Sequence, residues 1–245
     1  MHNWLIPQEK NTITENEVHL WVAHLTVSPP RIKQYYPLLS AEEKERSERF
    51  VHFIQRKRFI ASHGFMRTAL ASYLNMSAAT LKFKREKKGK PVLVTDNNDA
   101  CLHFNLSHSN NLALLAITKN KAVGVDVEFM QRKNEWQKIA RRFFTPEEQT
   151  SLFSLAENKQ QQAFFAIWTR KEAHMKVVGE GLHLAPSKFS VSVPPQAAKF
   201  IHYTEKTHQQ HWQMQDIVFQ DMFKEYCGCL SVEGGFDSLK QFVFP

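Results

Sequence analysis

Cysteine is scarce and poorly placed for a structural framework: Cys101, Cys227 and Cys229 are the three thiols in 245 residues. Three cysteines make no even disulfide set, and Cys227-Gly228-Cys229 is not the paired CxxC pattern of a zinc site. That run could take a soft metal or oxidise; two ordinary thiols in a strand is the plainer reading. Long apolar runs are missing too. The longest, Leu112 to Ile117, has six residues, far short of the roughly twenty that a bilayer-spanning helix needs. Met1 to Asn11 contains no apolar stretch of signal-peptide length, and no low-complexity tract appears. These absences exclude a disulfide-stapled secreted domain and a helical membrane protein. They predict a reduced, cytoplasmic chain with no membrane partner.

What is present suits a soluble globular protein. Hydrophobic residues make up 42% of the chain and charged residues 23%, enough to bury a core as one large domain or two small ones. The net charge of +8 and a pI near 9.4 suit polyanionic partners: nucleic acid, nucleotide cofactors, acidic proteins or anionic lipid. Charge alone does not choose among them.

Two stretches resemble each other. Leu39-Ser40-Ala41-Glu42-Glu43 and Phe144-Thr145-Pro146-Glu147-Glu148 each read as a Ser/Thr N-cap with Glu three residues on, and the second adds proline at the first helical position. Phe59-Ile60-Ala61 matches Phe164-Phe165-Ala166 at the same offset of 105 residues (Ser40 to Thr145, Phe59 to Phe164). The repeat predicts an α+β pseudo-dimer of two similar α+β halves, residues 1–118 and 119–245, with the active site in the cleft between them. The first half reads as a strand over 18–27, a loop through Pro29-Pro30, helices over 40–53 and 55–74, then a strand pair whose buried member is 112–118. The second reads as strand 122–128, helices 134–143, 145–156 and 158–178, then strands near 187–193, 199–204, 211–219 and 225–231. The ends, 1–15 and 233–245, carry no clear pattern.

Three short segments carry most of the chemistry. In Asp126-Val127-Glu128, at the end of an alternating apolar run, a period of two puts both acids on one strand face with Val125 and Val127 on the other. In Trp168-Thr169-Arg170-Lys171-Glu172 through Lys176, the residues Trp168, Glu172 and Lys176 share one helical stripe. Each has an ordinary reading: solvated strand acids, an i,i+4 surface ion pair, a core tryptophan. Jointly they supply three hard carboxylates for Mg2+ and lysines that could neutralise a phosphate held by that metal. The third segment, Phe104-Asn105-Leu106-Ser107-His108-Ser109, offers hydroxyl, imidazole and backbone N–H groups able to hold a phosphate oxygen. It also reads as a plain turn, or as a glycosylation site if the chain were secreted. Gly89-Lys90-Pro91 and the basic cluster Arg56-Lys57-Arg58 are weaker signals of the same kind.

Taken in order, these segments resemble the 4′-phosphopantetheinyl transferase superfamily, in its pseudo-dimeric, surfactin-synthetase-activating class. The resemblance runs from about residue 40 to 195 and rests on Gly124-Val125-Asp126-Val127-Glu128, Trp168-Thr169-Arg170-Lys171-Glu172-Ala173…Lys176, Phe104 to Ser109, Arg142 to Glu148 and Gly89-Lys90-Pro91. It implies transfer of 4′-phosphopantetheine from coenzyme A, as co-substrate, to a serine of an apo acyl or peptidyl carrier protein by a monomeric enzyme. Asp126, Glu128 and Glu172 would be Mg2+ ligands. Arg58, Lys90, Ser107, His108, Lys171 and Lys176 would grip the phosphates of coenzyme A. Glu172 and Lys176 would serve catalysis, Glu172 or a water on the metal taking the serine proton, with Glu148 a further acid near the site. Glu43 departs from the family, standing where relatives carry lysine.

Two rivals fit less well. A Mg2+-dependent nuclease places Glu and Lys two apart on a strand, whereas Glu172 and Lys176 are four apart on a helix. A nucleic-acid-binding module needs aromatics interleaved with Lys/Arg on one sheet face; the chain has no such stripe, and nucleic acid is not an expected partner.

Overall fold

The structure, a computed structural model, describes residues 4–5, 10–94, 101–130, 135–179, 184–204, 211–219 and 223–245. Parts of the 1–11 segment, and residue 134 of the helix expected from there, lie outside them. The chain order repeats itself. A strand β1 (Glu17–His24), helices α1 (Pro29–Tyr35), α2 (Ala41–Glu48) and α3 (Phe53–Leu74), and a hairpin β2 (Lys82–Arg85) and β3 (Pro91–Val94) lead into β4 (Leu102–Ser109) and β5 (Leu112–Lys119). The second pass has β6 (Val123–Phe129), α4 (Trp136–Phe143), α5 (Pro146–Phe153), α6 (Glu157–Val178), hairpin β7 (Phe189–Val191) and β8 (Phe200–Tyr203), then β9 (Trp212–Ile217) and β10 (Tyr226–Glu233). Two elements depart from expectation. Pro29-Pro30 opens α1 rather than a loop, because proline at a first helical turn forfeits an N–H that would be unpaired anyway. A further strand, β11 (Ser238–Val243), closes the chain.

The sheets repeat as well. The first runs β11-β1-β5-β4 and the second β6-β10-β9. Its last three strands are antiparallel neighbours in the same order as the second sheet. Strand β11 crosses back and pairs parallel with β1, Glu17 opposite Ser238 through Val22 opposite Val243. Val18, Leu20 and Val22 of β1 and Leu112, Leu114 and Ala116 of β5 pack against Val123, Val125 and Val127 of β6 and Leu230 of β10. The other face of the first sheet, with Trp21, Leu115 and Ile117, meets Phe59, Phe65 and Leu70 of α3. On the second sheet, Met214 and Cys229 meet Phe164, Ile167 and Ala173 of α6. The layers are thus helix, sheet, sheet, helix. Strand β5 is buried on both faces, which is why its apolar run does not alternate.

One circuit occurs twice and demonstrates the pseudo-symmetry. Ser40 and Thr145 each cap a helix in a full capping box with Glu43 and Glu148. Glu43 takes Arg67 Nε at 2.8 Å, and Arg67 donates to the carbonyls of Ala78 and Leu81. Glu148 takes Lys171 Nζ at 2.8 Å, and Lys171 donates to the carbonyls of Pro186 and Phe189. In both halves a capping glutamate holds a buried cation from the long helix. That cation in turn ties down the 3-10 turn before the hairpin, Ala78–Thr80 or Pro186–Lys188. Two sequence expectations are corrected here. Lys171 is fully buried in this circuit rather than facing a phosphate, and Glu148, 2% exposed, belongs to it rather than to the acidic site. The same geometry accounts for Glu43, which pairs with Arg67.

Gly124 marks where α6 lies directly on β6. A Cβ there would sit 2.1 Å from the Ala173 carbonyl oxygen and 2.4 Å from Val177 N, so only a bare Cα permits the contact. Gly124→Ala is expected to cost about 1–3 kcal/mol or more from overpacking against rigid backbone, read by urea unfolding. An unchanged midpoint would mean that the helix is not seated as described.

His174 is buried among Phe189, Phe200, Tyr203 and Trp212, with Nε2 at 2.9 Å from Tyr203 Oη. Burial, then the Lys171 cation, holds its pKa down at about 3, against an ordinary 6.5. The unfolded chain therefore takes up this proton below pH 6.5 while the native protein does not. Stability should fall as pH drops through that window, by about 1.4 kcal/mol per pH unit for this group. Unfolding at pH 7 and pH 5 should show a slope to which the similarly lowered His19 and His63 add, and His174→Phe should reduce it. An equal slope in the variant would rule His174 out as its source. Among the described residues no helix is long and apolar enough to cross a membrane.

Candidate active site

Strands β4 and β6 are edges of their respective sheets, and they meet at the seam between the halves. On β4, Asn105, Ser107 and Ser109 lie opposite Ala116, Leu114 and Leu112 of β5, so the face that is apolar inside the sheet turns polar at its edge. These three side chains replace a main-chain ladder. Val125 N donates to Asn105 Oδ1 at 2.9 Å, Ser107 Oγ donates to Asp126 Oδ1 at 2.9 Å, and Ser109 Oγ donates to Glu128 Oε2 at 2.8 Å while accepting from Phe129 N. The unpaired edge of β6 is thereby satisfied and its acids are held in register.

Helix α6 completes the cluster. Lys176 Nζ donates to Asp126 Oδ1 at 2.6 Å, Ser107 Oγ at 2.9 Å and the Val125 carbonyl at 3.2 Å. One turn earlier on that stripe, burial and then the Asp126 carboxylate push the Glu172 carboxyl up to about 7, with Glu128 adding and Lys176 opposing. Asp126 is buried, and its Oδ2 has no hydrogen-bond partner. A buried carboxylate oxygen without a donor is costly unless a cation or donor meets it. Three hard oxygen donors, one with a spare buried lone pair, fit Mg2+ in kind. Among the described residues no three such donors already stand at metal-binding distance; Lys176 sits against Asp126 instead.

Two grooves approach this cluster and meet at His108. One, of about 460 Å³, is lined by Gln55, Arg58, His108, Ser109, Glu128 and neighbours. The other, of about 620 Å³, runs past Arg46, His63, Lys82, Arg85 and Asn105. His108 lines both grooves; desolvation of its ring by their walls, then the cations Lys176, Arg58 and Arg46, lower its pKa. Arg58 is braced by the β4–β5 turn, donating to Asn110 Oδ1 at 2.6 Å and to Asn111 Oδ1 at 2.7 Å. The site is therefore an acidic cluster at the end of a basic channel, an arrangement suited to a metal-bound polyphosphate.

Of the residues singled out in the sequence, the structure gathers Asp126, Glu128, Glu172, Lys176 and Ser107, and it sets Arg58 and His108 on the channel wall. It does not gather Lys90 or Lys171. Lys90 Nζ donates to the carbonyls of Lys176, Val123 and Val177 at 2.8, 3.1 and 3.4 Å. It caps the C-terminus of α6 from the hairpin of the first half rather than pointing into the channel. The sequence reading missed Asn105 and Ser109 as holders of β6, and Arg46 and His63 as channel walls. Alternation with Ser107 would have found the first two; Arg46 on a charged helix carries no distinguishing signal.

Comparison with known proteins shows the family. Residues 122–230 match the family model described as 4′-phosphopantetheinyl transferase superfamily, and residues 26–120 match that described as 4′-phosphopantetheinyl transferase, N-terminal. The chain is 37% identical to the 4′-phosphopantetheinyl transferase HetI of Nostoc sp. over 181 residues, 74% of this chain and 76% of that one. It is 33% identical over 153 residues to a 4′-phosphopantetheinyl transferase of Bacillus subtilis, covering 62% and 66% of the two chains. It is 29% identical over 159 residues to Sfp of Bacillus subtilis strain 168, covering 65% and 68%. With its duplicated halves and the acidic cluster at their seam, the chain belongs to the 4′-phosphopantetheinyl transferase superfamily, in its surfactin-activating, pseudo-dimeric type.

Proposed function

We propose that this enzyme transfers the 4′-phosphopantetheinyl group of coenzyme A to a serine of an apo acyl or peptidyl carrier protein, in a Mg2+-dependent reaction. The serine oxygen bonds to the phosphorus that carries pantetheine, the pyrophosphate bridge breaks, and adenosine 3′,5′-bisphosphate leaves. The observation that carries the reading is Asp126, buried at the seam with one oxygen held by Ser107 and Lys176 and the other without a partner.

Asp126, Glu128 and Glu172 would hold Mg2+, which when bound supplies charge neutralisation on the pyrophosphate. Lys176, Arg58 and His108 supply further positive charge along the channel and orient the donor. In its ionised form Glu172, its pKa raised to about 7 chiefly by burial, or else a water on the metal, would accept the proton of the serine hydroxyl. We place the boundary between the halves at residues 118 and 119, with β11 crossing back to the first. The working unit is a monomer, since both halves of the site lie in one chain.

The test is to incubate the protein with coenzyme A, Mg2+ and a panel of apo carrier proteins and to weigh the carriers. A gain of one phosphopantetheinyl group that requires Mg2+ is expected. Binding of coenzyme A with no carrier modified would overturn the reaction assignment.

A further inference from the structure

The least explained feature of the surface is a run of five consecutive exposed residues, Val51 to Gln55, between α2 and α3. Three of them are large and apolar: Val51 is 93% exposed, Phe53 69% and Ile54 57%. Among the described residues, none of the three packs into the hydrophobic core. The buried face of α3 begins only at Phe59, so the first turn of the helix projects beyond the core. Lys57, one turn on, places its ammonium 4.4 Å from the centre of the Phe53 ring, which leaves the apolar tip fringed by positive charge. Residues 49–58 contain Arg49, Arg56, Lys57 and Arg58 and no acid. Arg49 and Arg56 pair with Glu45 and Glu48 of α2, which among the described residues leaves Lys57 and Arg58 as the cations not paired with an acid there. A cluster of exposed apolar residues with a charged border has the composition of an interaction site.

Its position selects the occupant. Gln55, the last residue of the run, and Arg58, one turn further on, line the same 460 Å³ groove as Glu128 and His108. The apolar tip therefore stands on the rim of the channel that ends at the acidic cluster. A macromolecule that delivers a serine to that cluster through this groove lies across this rim.

We propose that Val51, Phe53 and Ile54 form a docking surface for the carrier protein, which meets it with an apolar patch bordered by acidic residues. The inference rests on the carrier-protein reading of the site. The apolar residues supply the desolvated centre of the contact, and the surrounding cations steer an acidic partner and set its orientation.

The test compares wild type with Phe53→Ser, Ile54→Ser and Val51→Ser, all at exposed positions. Three readouts are taken: the KM for an apo carrier protein, transfer to a short peptide containing the carrier's modified serine, and the melting-temperature rise produced by coenzyme A with Mg2+. We expect the carrier KM to rise roughly tenfold in at least one variant, the size of an ordinary apolar anchor. Peptide transfer and the coenzyme A shift should stay as in wild type. Val51→Ser, outside the helix, separates docking from any weakening of α3. An unchanged carrier KM in all three variants overturns the proposal. So does an equal loss with the peptide, which would place these residues in donor binding or in the fold. Wild-type self-association in sedimentation that these substitutions abolish would assign the patch to a second copy instead. If wild-type protein modifies no carrier, the underlying functional reading fails, a result distinct from all of these.

Discussion

Asp126→Ala is expected to lower kcat by at least about a hundredfold to a thousandfold, the usual cost of removing a preorganised charge from a phosphoryl-transfer site, while leaving the protein folded. The contacts explain both halves of this expectation. Asp126 Oδ2 makes no hydrogen bond, so the losses are confined to Oδ1, which accepts from Ser107 Oγ and Lys176 Nζ. Lys176 keeps Ser107 Oγ and the Val125 carbonyl after the carboxylate is gone. Removing one of several mutually close acids also relieves repulsion. Asp126→Asn is the sharper variant, because it keeps the shape and an acceptor for Ser107 and Lys176 while removing the charge. Kinetics with varied Mg2+ and a thermal melt decide the matter. Retention of Mg2+-dependent turnover in both variants would sink the ligand assignment, and a large fall in melting temperature would make Asp126 a structural residue.

Lys171→Met should do the reverse, with stability falling by about 3–5 kcal/mol, as when one partner of a buried ion pair is removed. Glu148 cannot escape to water once its cation is gone. It is 2% exposed and is pinned by Thr145 N at 2.9 Å and Val191 N at 2.8 Å. The carbonyls of Pro186 and Phe189 lose their ammonium donor at the same time. At about 2–4 °C per kcal/mol for a chain of this size, the melting temperature should drop by roughly 6–20 °C. Replacing Glu148 as well should not rescue the loss, because those two backbone N–H groups would then be stranded. Urea unfolding checks the magnitude. A stable Lys171→Met protein with impaired coenzyme A binding would return Lys171 to the active site, where its neighbourhood in sequence first suggested placing it.

The repeat was legible because its signals are local. A capping box is written within four residues, and Ser40-Glu43 and Thr145-Glu148 both form one. Alternation likewise put Val125 and Val127 into the inter-sheet core and left Asp126 to meet α6. The i,i+4 spacing of Glu172 and Lys176 put them on one stripe. What remained hidden depended on distant partners. Strand β11 is a short, mixed run whose partner β1 lies more than 200 residues away in the chain, and no local pattern announces a parallel pairing of that span. Lys171 and Glu172 are adjacent in sequence, yet neighbours on an α-helix point about 100° apart; one reaches Glu148 and the other faces the acidic cluster. Lys90 looked like a phosphate grip because a lysine beside glycine and proline carries no mark of its acceptors, and only the packing of the first-half hairpin against α6 reveals three backbone carbonyls around it. The sequence by itself determined the residue types and the face each occupies, since these follow from backbone period. The tertiary structure decided which side chains share a partner, since that depends on which edges and helix ends are brought together.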